Sequence, residues 1–272
     1  MQRIQTLSLK LGQLLQFNEE ELQNVRSIPE LSKFDLQTQK VYEFPELQGM
    51  MGEVYSALKG EDSQVSRGIR EHYFPRTSGD SLPSDQVTLP VALADRMDML
   101  SVAFSLKMIP SGSADPFALR RMAQGVVQIV LGKQLPLGWK ELSSLSVQIL
   151  RDQQEFSAEP DILEKQLVDF LDQRERWFLQ KKGFRHDLID ALLKPTSGTP
   201  LNRLNFASTL SEDLNLPEFK KSVEAVVRAI NITNKYAEES QAAKFKEASL
   251  THEAELALYQ ALEVIALDSE SS

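Results

Sequence analysis

Three histidines, His72, His186 and His252, are the side chains best suited to metal or acid–base chemistry in this sequence. His186 is followed by Asp187, and a histidine–aspartate dipeptide offers an imidazole and a carboxylate to one divalent cation. A working site needs more, namely an upstream histidine and a downstream aspartate. His72 and Asp190 stand in that order, but the helical segments between them give no reason for convergence. The dipeptide therefore reads as an exposed pair at the start of a helix. There is no nucleophile elbow for a Ser-His-Asp hydrolase, no P-loop and no glycine-rich dinucleotide fingerprint.

A second arrangement runs through "EHYFPRTSGDSLP" and "LADRMDML". His72 precedes a Gly-Asp loop, and Asp95 and Asp98 follow, three apart and so on one helix face. This order resembles the second half of a histidine-aspartate metal domain, in which a helix carries a late aspartate ligand. The first half of such a domain supplies a histidine and a His-Asp pair. The matching stretch here, "LSKFDLQTQKVYEF", has Asp35 and no histidine. Asp35, His72 and Asp95 alone do not make a binuclear centre, so the expectation is a retained fold with degenerate metal positions and no metal. A metal-dependent histidine-aspartate phosphohydrolase is the alternative reading.

Two stretches suit nucleic acid. "QRERWFLQKKGFRH" sets Arg174, Arg176, Lys181, Lys182 and Arg185 around Trp177, Phe178 and Phe184. Cations with interleaved aromatics suit phosphate contact and base stacking. The plainer explanation is a helix with buried aromatics, whose C-terminal dipole attracts Lys181 and Lys182. "IPSGSADPFALRR" runs from a small polar loop into a helix bearing Arg120 and Arg121. Backbone N–H groups of "PSGSAD" can cradle a phosphate with these arginines nearby. The plainer explanation is a helix start, with Asp115 as N-cap and Pro116 at the first helical position. Beyond it, Phe117, Arg121, Gln124 and Gln128 share one stripe, and Ala118, Met122, Val126 and Ile129 share a more apolar one.

The elements that position these residues read as helices almost throughout. "IQTLSLKLGQLL" repeats Ile4, Leu7, Leu11, Leu14 and Leu15 at helical spacing. "ELQGMMGEVYSAL" does the same, with Pro45 in its first turn, and "QVSRGIREHYF" is a short helix ending at Pro75. "VALADRMDMLSVAFSLKMI" is apolar enough to be central, and Ala92, Ala94 and Ala103 permit close approach. A helix between Trp139 and Phe156 follows the break "GKQLPLGW". Another runs from Asp161 to a glycine cap at Gly183, and more follow the linker "KPTSGTP", at 201–211, 217–240 and 249–267. The fold class is all-α, with a helical domain at 1–135, a connecting segment at 136–158 and a second helical domain at 159–272.

With 42% apolar and 25% charged residues over 272 positions, the chain can bury a substantial core. The net charge of −9 means that RNA binding requires a local basic patch on an acidic body. No cysteine is present, which removes disulfides, thiol nucleophiles and cysteine-ligated zinc. The N-terminus lacks a signal-peptide core, and no apolar run spans a bilayer, so the expectation is a cytoplasmic protein with no membrane partner.

Several long, ordered stretches together resemble one family. "EFPELQGMMGEVYS", "EHYFPRTSGDSLPSDQVTLPVALADRMDML", "IPSGSADPFALRRMAQGVVQIVL", "LVDFLDQRERWFLQKKGFRHDLIDALL" and "VEAVVRAINITNKYAEE" closely resemble the beta subunit of bacterial-type glycyl-tRNA synthetase, from about Phe34 onward. Phe34 stands where the family tends to have a small residue, and His186 where it often has tyrosine or another residue. The resemblance implies a histidine-aspartate-like bundle followed by a helical anticodon-binding-like domain. It implies a role in tRNA recognition for an enzyme that joins glycine to its tRNA. The ATP and Mg²⁺ of that enzyme are expected on an alpha subunit, in an assembly of two alpha and two beta subunits. This chain is expected to be a middle-to-C-terminal fragment, truncated in its last domain, with no catalytic residue or cofactor of its own. A helical scaffold that docks the alpha subunit is a further alternative.

Overall fold

The computed structural model describes residues 1–112, 114–153, 159–194, 198–214, 216–240 and 252–270, the helical stretches at 153, 232–240 and 262–270 by backbone alone. The described residues form thirteen α-helices and two 3₁₀ turns, with no strand. The chain divides into two compact units, Met1–Glu212 and Asp213–Ser272. Among the described residues no helix is long and apolar enough to cross a membrane.

In the first unit, α1 (Gln2–Leu14) and α2 (Glu19–Leu31) form a hairpin. Asn18 starts α2 with a capping box: its side chain accepts from Glu21 N–H at 3.0 Å, and the Glu21 carboxylate accepts from Asn18 N–H at 2.9 Å. α3 (Gln39–Glu43), α4 (Met50–Leu58) and α5 (Ser63–Glu71) follow. Pro45 begins a separate 3₁₀ turn rather than α4. The helix waits until Met50 because Gly49 turns the chain at φ +79°.

α6 (Thr88–Ser105) lies at the centre, against α1, α7 (Leu119–Gly132), α8 (Trp139–Gln153) and α9 (Pro160–Lys181). It begins a turn earlier than the apolar run implies, because Pro90 sits where helix N–H groups have no partner anyway. It ends sooner, since Lys107 adopts a left-handed conformation at φ 59°. Ala92, Ala94 and Ala103 are buried as their small size allows. Leu7, Leu11, Leu93, Met97, Leu100, Ile129, Leu142, Leu150, Leu167 and Leu171 fill one continuous core across five helices. Each such side chain contributes about 1.5–3 kcal/mol by leaving water. A smaller cluster of Val25, Ile28, Val65, Ile69, Val87 and Val91 joins α2 and α5 to the start of α6.

α7 starts at Leu119, not at Pro116. Asp115 still caps it from four residues upstream, accepting from Leu119 N–H at 2.8 Å and Arg120 N–H at 3.0 Å across a turn. α9 ends as its glycine predicts: Gly183 has φ +90°, Phe184 N–H reaches Leu179 O and Gly183 N–H reaches Gln180 O, a Schellman motif. α10 (His186–Leu192) and α11 (Pro200–Asp213) complete the unit. The expected end of α8 at Phe156 and the middle of "KPTSGTP" lie outside the described residues.

The second unit contains α12 (Pro217–Ser240) and α13 (Glu253–Glu270). Val223, Val226, Val227 and Ile230 form an exposed apolar stripe at helical spacing on α12.

Candidate nucleic-acid interface

The basic and aromatic residues at the end of α9 divide over several surroundings. Arg176 is ion-paired with Asp190 of α10. Arg185 forks onto Asp187 at 3.1 and 2.6 Å. Both pairs are solvent-exposed, so they add little stability but do occupy the cations. His186 heads α10 beside this pair, exposed, with its Nδ1 near the Gln180 amide. Phe184 is half-buried behind the glycine cap. Lys181 and Lys182 are exposed, their ammonium groups 5.4 Å from the Trp177 ring and 5.7 Å from the Phe178 ring.

Arg174 and Trp177 instead meet Arg120 and Arg121. Together with Arg76 they line a pocket of about 220 Å³ whose floor includes Gln124. Three elements bring them there. α7 and α9 pack side by side, which juxtaposes the start of one with the end of the other. The loop carrying Arg76 is pinned by Arg96 of α6, whose guanidinium donates to the carbonyls of His72, Tyr73 and Pro75 at 2.9, 2.9 and 3.1 Å. Arg96 also donates to its own helix at Ala92 O. Gly125 of α7 makes room for this, as an added Cβ would stand 2.6 Å from Arg96 Nε.

The pocket is electropositive. Burial, then the neighbouring Arg120 charge, lowers the pKa of Arg174, with Asp115 acting the other way. Among the described residues, none of Arg76, Arg120, Arg121 and Arg174 forms an ion pair, whereas Arg67, Arg70, Arg176, Arg185 and Arg203 each face a carboxylate. Arg76 stacks over Tyr73 at 5.7 Å and donates to Gln48 O, and Arg120 donates to Gly112 O. The Nε2 of Gln124 and the Nε of Arg174 are buried without a hydrogen-bond partner among the described residues. A larger cavity of about 850 Å³ between α8, α9 and the start of α11 is different, because its Arg203 is already matched by Asp172 and the buried Glu175.

Asp35, His72 and Asp95 lie in one neighbourhood but face other tasks. Asp35 is fully buried and accepts from Gly49 N–H at 2.6 Å. His72 Nδ1–H donates to Ile69 O at 2.8 Å. Burial first, then the charges of Lys33 and Arg96, lower the His72 pKa to about 4 against the pull of Asp95. Asp95 is ion-paired with Lys33, itself held at φ 65°. Asp98, the second aspartate of that helix face, pairs with Arg3 at 2.6 Å. Among the described residues no three His, Asp or Glu side chains converge in a way that would hold a metal ion. A lysine stands instead within the acidic group, so the donor set does not fit a binuclear divalent centre.

Residues 1–194 match the family described as glycyl-tRNA synthetase beta subunit. The chain belongs to that family. The glycine–tRNA ligase beta subunit of Bacillus subtilis is 39% identical over 235 residues, which is 86% of this chain and 33% of the relative. That of Halalkalibacterium halodurans is 40% identical over 235 residues, 86% of this chain and 34% of its own length. One from Listeria monocytogenes is 34% identical over 268 residues, 98% of this chain and 38% of its own length. The chain thus spans about a third of the length of these curated relatives.

For this member of the family, sequence reasoning finds four of the pocket's residues, Arg120, Arg121, Arg174 and Trp177, in two separate motifs. It misses Arg76, which sits in a stretch read for metal chemistry. It places Gln124 on the Arg121 stripe without assigning it a role. The one signal for Arg76 is its position beside Pro75 in a loop with three aromatic or imidazole neighbours, His72, Tyr73 and Phe74. Lys33 carries no signal at all, because nothing in its local sequence relates it to Asp95.

Proposed function

We propose that this chain supplies tRNA-binding surface to a glycyl-tRNA synthetase beta subunit and so supports ATP-dependent attachment of glycine to its tRNA. The observation that carries this reading is the meeting of Arg76, Arg120, Arg121 and Arg174 around Trp177, a cationic patch with a stacking surface on a chain of net charge −9. Family membership supports the same reading. Catalysis belongs to a separate alpha subunit that binds ATP and Mg²⁺, with this chain contributing no catalytic residue. The working assembly, in the cytoplasm, pairs alpha with beta subunits.

The first helical domain is read as histidine-aspartate-like without its metal chemistry. What supports this is that His72 and Asp95 lie beside the Lys33 ammonium, while Asp35 is buried against the Gly49 N–H. A phosphohydrolase reading loses support for the same reason, since Asp95 is committed to a lysine and, among the described residues, His72 is the one imidazole beside it.

The test is binding of the chain to glycine tRNA and to an unrelated tRNA, each at low and moderate salt. Preference for glycine tRNA that survives added salt is the expected result. The paired change Lys181→Glu and Lys182→Glu should weaken binding. Removing one phosphate interaction should reduce the salt slope by about 0.7–0.9. Equal, weak binding to both tRNAs that salt abolishes would assign recognition to other parts of the beta subunit.

A further inference from the structure

We propose that the pocket between Arg76, the start of α7 and the end of α9 is a seat for a single phosphodiester of the bound RNA. The inference rests on the tRNA-binding reading above and deepens it, from a basic surface to one phosphate held at one place.

Charge is the first argument. Four guanidinium groups line a pocket of about 220 Å³, and among the described residues none has a carboxylate partner within ion-pair distance. Two acids that act on these arginines, Asp115 on Arg174 and Asp80 on Arg76, are engaged by backbone N–H groups. Asp115 accepts the Leu119 and Arg120 N–H groups, and Asp80 accepts the Arg76 and Thr77 N–H groups, each at 2.9 Å. Like charges so gathered repel one another until an anion joins them. Guanidinium is the group suited to it, with donors set in a planar fork that matches phosphate oxygens.

Hydrogen bonding is the second argument, and it is independent of charge. Gln124 is 9% exposed, lines the pocket, and its Nε2 has no partner among the described residues. The Arg174 Nε is likewise buried and without a partner among the described residues. Buried donors of this kind are nearly always matched in proteins. Both donors belong to residues that line the pocket, where a phosphate would supply acceptor oxygens.

Size and rigidity complete the case. The volume lies below the range usual for whole small-molecule sites, which suits one charged group rather than a nucleoside. Arg76 is stacked and bonded to Gln48 O, Arg120 is bonded to Gly112 O, and Arg96 holds the loop that carries Arg76. Two of the four arginines are thus already placed, which lessens the ordering left for the ligand to impose. Trp177, with Lys181 over its ring, continues the surface outward along α9 for the adjoining nucleotide.

The experiment measures glycine tRNA affinity across a salt series for the wild-type chain and for Arg121→Gln, Arg174→Gln and Gln124→Met, with thermal unfolding of each. A parallel arm titrates inorganic phosphate against the wild type and Arg121→Gln by thermal shift. Each arginine change should weaken tRNA binding by about tenfold at low salt and reduce the salt slope by about 0.7–0.9. Gln124→Met should weaken binding while leaving the melting temperature equal or higher, since it removes an unsatisfied buried donor. A purely structural glutamine would not separate these two readouts. If all three variants bind tRNA as the wild type does while the Lys181→Glu, Lys182→Glu protein does not, the phosphate seat is wrong and the tRNA reading stands. If tRNA fails to bind but inorganic phosphate stabilises the wild type and not Arg121→Gln, the pocket is an anion seat for a free phosphate, and its assignment to RNA is overturned. If neither ligand binds, both readings fall.

Discussion

Arg96 and Gly125 meet where α6 packs on α7, so closely that a methyl group at position 125 would stand 2.6 Å from the Arg96 Nε. An arginine usually yields to such an intrusion by swinging aside. This one is buried, and its guanidinium donates to four carbonyls, those of His72, Tyr73, Pro75 and Ala92. Gly125→Ala should therefore lower stability by about 1–3 kcal/mol, the usual effect of overfilling a packed site. It should also loosen the loop carrying Arg76. Urea titration measures the first effect, and faster amide exchange over residues 72–76 measures the second. A fully stable Gly125→Ala protein with unchanged exchange would show that Arg96 does not hold that loop.

A second buried cation joins three helices. Glu175 has no exposed surface, and its carboxylate accepts from Trp139 Nε1 at 2.6 Å and from Arg203 Nε at 2.9 Å. Arg203→Met leaves Glu175 charged and short of its partner, so a loss of about 3–5 kcal/mol is expected. The Glu175→Leu, Arg203→Met double variant removes both charges and should regain much of that loss. Equilibrium unfolding of the wild type, Arg203→Met and the double variant decides it. A double variant no better than the single would mean that the loss comes from packing of the arginine stem or is matched by the Trp139 Nε1–H left without its acceptor.

The helices were legible in the sequence because their cause is local. Leu7 and Leu11 announce α1 by spacing, and Gly183 announces the end of α9 by its lack of a Cβ. The start of α7 was not legible to the residue. Asp115 and Pro116 are the right residue types for a cap, yet Ala118 turns left-handed at φ 54° and delays the helix. The candidate site was legible as two unrelated fragments. That Arg121 and Arg174 share a pocket follows from the packing of α7 on α9, which no residue near either one encodes. The Lys33–Asp95 and Glu175–Arg203 pairs were hidden for the same reason.

Helix ends offer a stabilising change. Gln134 follows α7 in a left-handed conformation, φ 54°, and Leu135 N–H reaches Val130 O behind it, the geometry that glycine adopts without strain. Gln134→Gly should raise stability by about 0.5–1 kcal/mol, less whatever the freer unfolded chain takes back. A higher urea midpoint with an unchanged slope is the expected result. A lower midpoint would show that the Gln134 side chain contributes packing worth more than the relieved strain.

Acid should weaken the fold through His72. Its ring is buried, its Nδ1–H is given to Ile69 O, and its Nε2 has no partner among the described residues. Burial, with the Lys33 and Arg96 charges, lowers its pKa from 6.5 to about 4, against the opposing pull of Asp95. The folded state thus refuses a proton that the unfolded chain accepts. The stabilisation is fully present above pH 6.5 and is lost as the pH falls toward 4, by about 3 kcal/mol in all. Carboxylates also titrate in this window, so the informative quantity is the difference from a variant. His72→Asn keeps a donor where Nδ1–H stands and removes the titration. Unfolding free energies at pH 7, 5.5 and 4.5 should fall more steeply for the wild type than for His72→Asn, and parallel pH profiles would show that His72 takes up its proton in the folded protein as readily as in the unfolded chain.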